Sequence, residues 1–252
     1  MEQALKENQR RDRVNDHLTL IQHCDGLTFG TDALLLAAYI NRGSKARALE
    51  LGAGTGIISL LLATRGKVAS VECVEIQPTF VDIAKQNVEE NQLAHMVSVT
   101  HADIRNLGDY GQGDFDIVFS NPPYMRADCP SCDSEEKQIA RHEVCGGIED
   151  FVKSAAKKLR WGGRFFVVWR PDRLSELCST MHSHGIEPKR MTFVHANITL
   201  PPSIVLVEGK RGGKPGMKVT QPLLIGGDLE ERSDSPDMCY ILEKGCFPKK
   251  YE

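Results

Sequence analysis

Residues 46–56 read ARALELGAGTG, and this stretch decides the fold. The run Ala46–Leu51 is typical of a buried β-strand, three glycines follow it, and a helical pattern begins at Ile57. Glycine is needed where the chain turns tightly and where a ligand must approach the backbone without a Cβ in the way. Free N–H groups at the start of the helix can hold an anionic group. The stretch therefore predicts a strand, a ligand-binding loop and a helix.

The alternation of strands and helices continues along the chain. Six further strand-like runs are bounded by turn residues: Val68–Ile76, Met96–Ala102, Phe115–Ser120, Arg164–Arg170, Arg190–Ala196 and Ile204–Glu208. Helical patterns occupy Asp32–Ile40, Ile57–Thr64, Pro78–Asn91, Ile148–Lys158 and Leu174–His184. Such alternation implies right-handed crossovers and a parallel sheet covered on both faces. We predict a doubly wound α/β fold with a mostly parallel seven-stranded sheet, whose last two strands pair antiparallel.

Composition limits the class of protein. The chain has 252 residues, 41% hydrophobic and 26% charged, which can form a sizeable core and excludes disorder. We expect one domain over residues 1–252, with an N-terminal segment and helix (1–45), a core (46–210) and a C-terminal extension (211–252). The longest apolar run, Ala33–Ile40, is shorter than the roughly 18 residues that span a bilayer. With a charged N-terminus and only eight cysteines, the sequence predicts a cytoplasmic protein without membrane contact.

The distribution of charge is uneven, although the net charge is only -3. Segment 153–173 carries seven basic residues against one acid, and segment 208–218 carries four against one. Together they predict a basic face that contacts nucleic-acid phosphates, and binding that weakens as salt rises. Ordinary solvated surface explains each segment equally well when it is taken alone.

Acidic residues follow the second and third predicted strands. Glu75 lies 23 positions after Gly52, where a carboxylate can accept hydrogen bonds from both hydroxyls of a ribose. The glycine spacing G-x-G-x-G differs from the dinucleotide pattern G-x-G-x-x-G, which counts against NAD. Asp103 is placed to accept from an adenine amino group, and a capping role in a turn suits it equally.

The fourth predicted strand ends in Asn121-Pro122-Pro123-Tyr124. Two prolines there could simply end the sheet, because proline cannot donate to a strand ladder. A chemical interpretation fits the position better. The Asn121 side-chain oxygen and the Pro122 carbonyl can accept both hydrogens of a planar amine and aim its lone pair at a methyl group. Tyr124 offers a flat face on which a planar group can stack.

With these features the chain resembles the class I methyltransferases that depend on S-adenosylmethionine. The resemblance implies that Glu50 lies near the methionine amino group, that three glycines face the cofactor, that Glu75 holds the ribose and that Asp103 faces the adenine; the glycines are Gly52, Gly54 and Gly56. Phe29 and Asp32 are further candidates for the methionine end, although Asp32 could also cap the helix that it begins. Asn121 is the ninth residue that we expect to contact the cofactor.

The Asn-Pro-Pro-Tyr motif resembles the signature shared by adenine N6- and glutamine N5-methyltransferases. Three other segments resemble the bacterial tRNA methyltransferases that modify N6 of adenine 37 in a valine tRNA: DGLTFGTDALLL (25–36), ARHE (140–143) and VLVEGKRGG (205–213). The likeness covers about residues 14–226. It implies N6 methylation of adenine in tRNA with S-adenosylmethionine as the cofactor. It also implies substrate contacts by five residues, which are Tyr124, Arg141, His142, Lys210 and Arg211.

Three alternatives stay open at this point. The same pocket would serve a glutamine N5-methyltransferase acting on a protein, or a methyltransferase acting on adenine in DNA. A non-enzymatic RNA chaperone with a vestigial cofactor site is the third. A tetrahedral zinc site at Cys129, Cys132, His142 and Cys145 is conceivable from their spacing, but the family resemblance already accounts for His142, and we predict no metal.

Overall fold

The computed structural model describes residues 5–24, 29–41, 43–108, 113–123, 146–227 and 233–252. The strands in these ranges are β1 (Gln9–Asn15), β2 (Leu18–His23), β3 (Arg47–Leu51), β4 (Ser70–Glu75), β5 (Val97–His101), β6 (Phe115–Ser120), β7 (Leu159–Trp169), β8 (Ile186–His195), β9 (Pro202–Arg211), β10 (Lys218–Val219) and β11 (Leu223–Leu224). The α-helices are α1 (Thr31–Tyr39), α2 (Ile57–Thr64), α3 (Pro78–Glu90), α4 (Ile148–Lys158), α5 (Leu174–Ser183) and α6 (Pro236–Lys244). None of the helices in the described part of the chain is long and apolar enough to cross a membrane.

The central sheet has the strand order β10-β8-β9-β7-β6-β3-β4-β5, and β11 also pairs with β8. Strand β9 is antiparallel to both of its neighbours, β7 and β8, and the other pairs are parallel. The doubly wound, mostly parallel sheet and its antiparallel final pair are thus confirmed. The two short strands β10 and β11 extend the predicted seven.

Alternate residues of each central strand pack on opposite faces of the sheet. In β6, Ile117 and Phe119 belong to the core formed with α1 and α2, whereas Val118 belongs to the core formed with α4 and α5. Strand β7 repeats this alternation, with Phe166 in the first core and Phe165 in the second. Burial on both faces explains why these strands read as continuous apolar runs. The carboxyl ends of the parallel strands all meet at one edge, where loops are free to form a site.

A two-stranded hairpin, β1–β2, stands apart from the central sheet and was not predicted. Side-chain amides of α3 satisfy the outer edge of β2. Asn87 accepts from the Ile21 N–H at 2.6 Å and donates to the Ile21 carbonyl at 3.0 Å. Asn91, one turn later, makes the same pair of bonds to Thr19 at 3.0 and 2.7 Å. The hairpin is thereby attached to the core just before the segment that leads into α1.

The C-terminal extension, where the sequence shows little pattern, packs against α1. The rings of Phe247 and Tyr39 meet edge to face with centroids 5.2 Å apart, and Tyr251 packs on Phe247 in the same way. Arg190 of β8 lies 3.9 Å above the Tyr39 ring and donates to the backbone carbonyl of Tyr251. The extension therefore belongs to the same hydrophobic core as the first sheet face.

Candidate active site

A cavity of about 550 Å³ opens at the carboxyl edge of the parallel strands. Its walls come from the segments that follow β3, β4, β5 and β6, from the start of α1, and from the start of β9. Eight of the nine residues predicted to bind a cofactor line it: Phe29, Asp32, Glu50, Gly52, Gly54, Glu75, Asp103 and Asn121. Residues separated by up to 92 positions in sequence thus meet at one place.

The glycine loop is held in a conformation that favours glycine. Gly52 and Gly54 have φ angles of 72° and 55°, in the left-handed region. A Cβ at Gly52 would come within 3.3 Å of the Phe151 ring, whereas a Cβ at Gly54 would meet no protein atom within 4 Å. Because Gly54 lines the cavity, a side chain there would project into space that a ligand can occupy.

Gly56 does not line the cavity, which corrects the expectation that all three glycines face the cofactor. It is the N-cap residue of α2 with a φ of 82°. A Cβ at this position would lie 3.6 Å from the Cβ of Ala84 in α3. The third glycine therefore sets the turn into α2 and the close approach of α3, rather than a ligand contact.

Glu50 lines the cavity with only 1% of its surface exposed. Its carboxylate accepts a short hydrogen bond from the Ser59 hydroxyl, which in turn accepts from the Cys73 thiol at 3.1 Å. Burial raises the pKa of Glu50 to about 8, and the bond from Ser59 opposes the shift. A buried carboxyl with a raised pKa is well placed to ionise when a cation binds beside it.

Glu75 is also buried at the cavity wall, and backbone N–H groups surround it. Gly54 donates to one of its oxygens, while Ile76 and Gln77 donate to the other. Burial raises the pKa of this carboxyl even though the three N–H groups favour its charged form. The residue predicted to hold a ribose thus also fixes the glycine loop.

Asn121 lies at the end of β6, and its two amide atoms have different surroundings. The nitrogen donates to Oδ2 of Asp32 at 2.9 Å. The oxygen is buried and has no hydrogen-bond partner among the described residues. Pro122 and Pro123 line the cavity beside it. Asn121 lines the cavity, so this unsatisfied acceptor lies at the cavity wall.

The expectation that Asp103 caps a turn is confirmed, and its contact with an adenine stays a prediction. Asp103 lines the cavity, and its side chain accepts from the backbone of Arg105, capping a 3₁₀ turn at Ile104–Asn106. Hydrogen bonds from the Arg105 side chain hold the pKa of Asp103 below its ordinary value. Asp32, in contrast, lies in the first turn of α1, where Gly30 is the N-cap residue. Its role as the helix cap is therefore wrong, although Oδ1 accepts from the adjacent Ala33 N–H.

The structure does not bring Lys210 and Arg211 to the cavity. Lys210 pairs with Arg164 near the beginning of β7, whereas Ile204 lines the cavity at the other end of β9. Ile204 and Lys210 are six positions apart along the strand, a distance of about 20 Å. Their predicted contact with the tRNA substrate, through its phosphates, stays a prediction for Lys210 and Arg211. Tyr124, Arg141 and His142 lie outside the described residues, as does the cysteine–histidine set considered for zinc.

The basic segment 153–173 is not a continuous cationic face. Four of its arginines form ion pairs with carboxylates: Arg160 with Asp116, Arg164 with Glu208, Arg170 with Asp172, and Arg173 with Glu176. Lys158 is buried and donates to the Gly108 carbonyl at 2.9 Å. Trp161 is 77% exposed, while Trp169 is buried.

Several cavity residues could not be identified from the sequence. Phe151 of α4 packs beside Gly52, and Ser203, Ile204 and Ile225 also line the cavity. Ordinary apolar or small side chains of this kind carry no local signal, because only the tertiary fold brings them to the cavity.

The strand order, the glycine loop and the Asn-Pro-Pro segment at the end of β6 together define a class I methyltransferase fold. Residues 24–181 match the family described as methyltransferase small domain. The chain belongs to this family and is a methyltransferase.

Similarity to individual proteins agrees with this assignment. A relative from Bacteroides fragilis, named tRNA1(Val) (adenine(37)-N6)-methyltransferase, is 31% identical over 179 residues, which are 71% of this chain and 75% of the relative. A solved structure of a predicted O-methyltransferase from Agrobacterium tumefaciens has a TM-score of 0.70 at 21% identity and covers 86% of this chain and 98% of its own. M. jannaschii TYW2 in complex with AdoMet has a TM-score of 0.58 at 14% identity, with 82% and 88% covered. The two structural similarities show the fold alone.

Proposed function

We propose that the chain transfers a methyl group from S-adenosylmethionine to the N6 amine of an adenine in a tRNA. The observation that carries this proposal is the buried Asn121 oxygen, which lacks a partner in the described part of the chain. Buried polar atoms are normally satisfied, so a bound molecule is expected to supply a donor here. Several relatives are named tRNA1(Val) (adenine(37)-N6)-methyltransferase, which makes the adenine amine the donor of choice.

The cavity residues fit S-adenosylmethionine. The cavity volume of about 550 Å³ lies in the range of about 300–1,000 Å³ found for small-molecule sites. The buried carboxyl of Glu50 suits the methionine ammonium group, Glu75 suits the ribose hydroxyls, and the open face of Gly54 lets a ligand approach the backbone. Asp103 lines the same cavity and is assigned to the adenine. When bound, the cofactor supplies an electrophilic methyl group on its sulfonium sulfur.

The residues of the chain position a weak nucleophile, the exocyclic amine, for methyl transfer. The lone pair of an exocyclic amine is delocalised into the ring. Asn121 Oδ1 and the Pro122 carbonyl accept the two amine hydrogens and favour a more tetrahedral nitrogen, with its lone pair directed along the line of attack. The product nitrogen is acidic enough to lose its proton without a strong base, so positioning carries much of the catalysis.

The target base must leave its stack to reach this cavity at the carboxyl edge of the strands. Stacking on Tyr124 remains part of the proposal. We further propose that the protein acts in the cytoplasm, where its tRNA substrate is found, as a single domain over residues 1–252.

Incubation with labelled S-adenosylmethionine and unmodified tRNA, followed by mass spectrometry of the nucleosides, tests the proposal. We expect N6-methyladenosine in tRNA from the wild-type protein and none from Asn121→Ala, which should still bind the cofactor. Parallel reactions with DNA and with cell protein separate the alternatives. Methylglutamine in protein, or methyladenine in DNA but not RNA, would replace the proposed substrate, and failure to bind the cofactor would favour a non-enzymatic role.

A further inference from the structure

We propose that Asp32 is a positioning residue that sets the orientation of the Asn121 side-chain amide, and that Gly30 provides the space for its carboxylate. The inference rests on the proposed function, because it concerns how Asn121 receives the amine of the target adenine.

The two ends of the Asn121 amide have opposite polarity, so its orientation decides whether it can act. Only the oxygen accepts hydrogen bonds, and a half turn of the amide would present its NH₂ group to the NH₂ group of the target. The Asp32 carboxylate lies 2.9 Å from one end of the amide. An ionised carboxylate only accepts, so the nitrogen must face it and the oxygen is left for the substrate.

Asp32 is itself held in place. Its second oxygen accepts from the Ala33 N–H at 3.0 Å, and it lies in the first turn of α1, where the helix dipole favours a negative charge. A charged acceptor at the nitrogen also polarises the amide and makes Oδ1 a stronger acceptor. The carboxylate therefore both orients and strengthens the group that grips the amine.

Gly30 provides space for the Asp32 carboxylate and not a special backbone conformation. Its φ of -96° and ψ of 174° are extended angles that any residue adopts. A Cβ at this position would overlap Oδ1 of Asp32. Gly147, the N-cap residue of α4, has nearly the same angles, and a Cβ there would meet nothing within 4 Å. The two glycines therefore form a matched pair for testing.

A double-mutant cycle tests the coupling of Asp32 to Asn121. We expect Asp32→Ala to lower kcat for tRNA methylation roughly ten- to hundredfold, with KM for tRNA and Kd for S-adenosylmethionine within about twofold of wild type. In the Asn121→Ala background, Asp32→Ala should change kcat less than about twofold, because its effect acts through Asn121. Asp32→Asn, whose oxygen can still accept from Asn121, should retain more activity than Asp32→Ala.

A second measurement needs neither cofactor nor substrate. The side-chain amide resonance of Asn121 can be assigned by its absence in Asn121→Ala and followed by NMR. It should shift in Asp32→Ala and in Gly30→Ala but stay in place in Gly147→Ala. Thermal unfolding of each variant shows whether it is folded, and Asp32→Asn replaces Asp32→Ala if the alanine variant is not.

Equal losses from Asp32→Ala in the wild-type and Asn121→Ala backgrounds would overturn the proposal, as would an unmoved Asn121 resonance. A cofactor Kd weakened as strongly as kcat would assign Asp32 to the cofactor and would also overturn it. If the unaltered protein methylates no tRNA, the proposed function fails, whereas the resonance shift still decides whether Asp32 orients Asn121.

Discussion

The backbone nitrogen of Gly54 donates a hydrogen bond of 2.8 Å to Oε2 of Glu75, so the acid that ends β4 holds the loop that follows β3. The other carboxylate oxygen accepts from the N–H groups of Ile76 and Gln77 at 3.0 and 2.9 Å. One side chain therefore fixes the two neighbouring loops that form this side of the cavity. Cofactor binding should depend on that shared anchor.

Glu75→Gln should weaken S-adenosylmethionine binding at least about tenfold. All three N–H groups point at carboxylate oxygens, and an amide nitrogen in place of either oxygen would face a donor with a donor. Calorimetric titration of the cofactor measures the loss. Glu72→Gln on the same strand is the control, since Glu72 pairs with Arg47 and does not line the cavity. Equal weakening by both substitutions would contradict the assigned role.

Cofactor affinity should rise with pH between 6 and 8. Burial raises the pKa of Glu50 to about 8, so the carboxyl is mostly protonated at neutral pH in the unliganded protein. An ammonium group beside it favours the ionised form, and binding must release a proton, which strengthens affinity by up to roughly tenfold per pH unit below the pKa. Calorimetry in two buffers of different ionisation enthalpy counts the proton. Glu50→Gln should remove the pH dependence, and a flat wild-type profile would exclude the contact.

Glu50→Gln should also stabilise the unliganded protein at pH 7. The pKa of Glu50 is raised from 4.5 to about 8, so its contribution to stability is complete below pH 4.5 and is lost as pH rises towards 8. The loss at pH 7 is on the order of 3 kcal/mol, and a neutral glutamine avoids it. Urea unfolding should show Glu50→Gln more stable than wild type at pH 7 but not at pH 4.5. The same advantage at both values would show that it does not arise from ionisation.

Asn87→Ala should weaken the attachment of the hairpin β1–β2 to α3. Asn87 is fully buried, and it bonds both backbone groups of Ile21 and the carbonyl of Thr55 at the cavity wall. Loss of these partners leaves buried backbone groups unsatisfied, at a cost of about 3 kcal/mol in the free energy of unfolding. Asn91→Ala, which removes the same pair of bonds at a half-buried position, should cost less. Faster hydrogen exchange at the Ile21 amide should accompany the loss, and an unchanged rate would contradict it.

Local sequence patterns predicted the helices and strands that are buried along most of their length. Helix α2 and strand β6 have the bounds read from the sequence, Ile57–Thr64 and Phe115–Ser120, because apolar runs ended by turn residues mark buried elements of this kind. The glycine loop and Asn121 could also be identified from the sequence, since each follows a recognisable strand. Their meeting at the cavity follows from the parallel order of the strands.

Features that depend on distant partners could not be predicted. The hairpin strand Gln9–Asn15 is polar. The outer backbone groups of β2 are hydrogen-bonded to side-chain amides more than sixty residues away in sequence. The charges of segment 153–173 suggested a cationic face, but Glu208 and Asp116 reach two of them from other strands. Counting charges along the chain therefore overstates the surface available to RNA.

The remaining cationic contribution of that segment falls on Lys153 and Lys157. Both are exposed on α4, within two turns of Phe151 in the cavity wall, and no carboxylate pairs with them in the ranges that the structure describes. If they contact tRNA phosphates, Lys153→Ala combined with Lys157→Ala should weaken tRNA binding and lower the slope of log K against log salt by about 1.4 to 1.8, the counterions of two phosphates. Filter binding across a salt series measures the slope, and cofactor affinity should not change. The charge-matched control replaces Lys85 and Lys249, exposed lysines of α3 and the C-terminal extension. If the control changes the slope as much as the α4 pair does, the effect is one of net charge, and α4 is not the phosphate-binding surface.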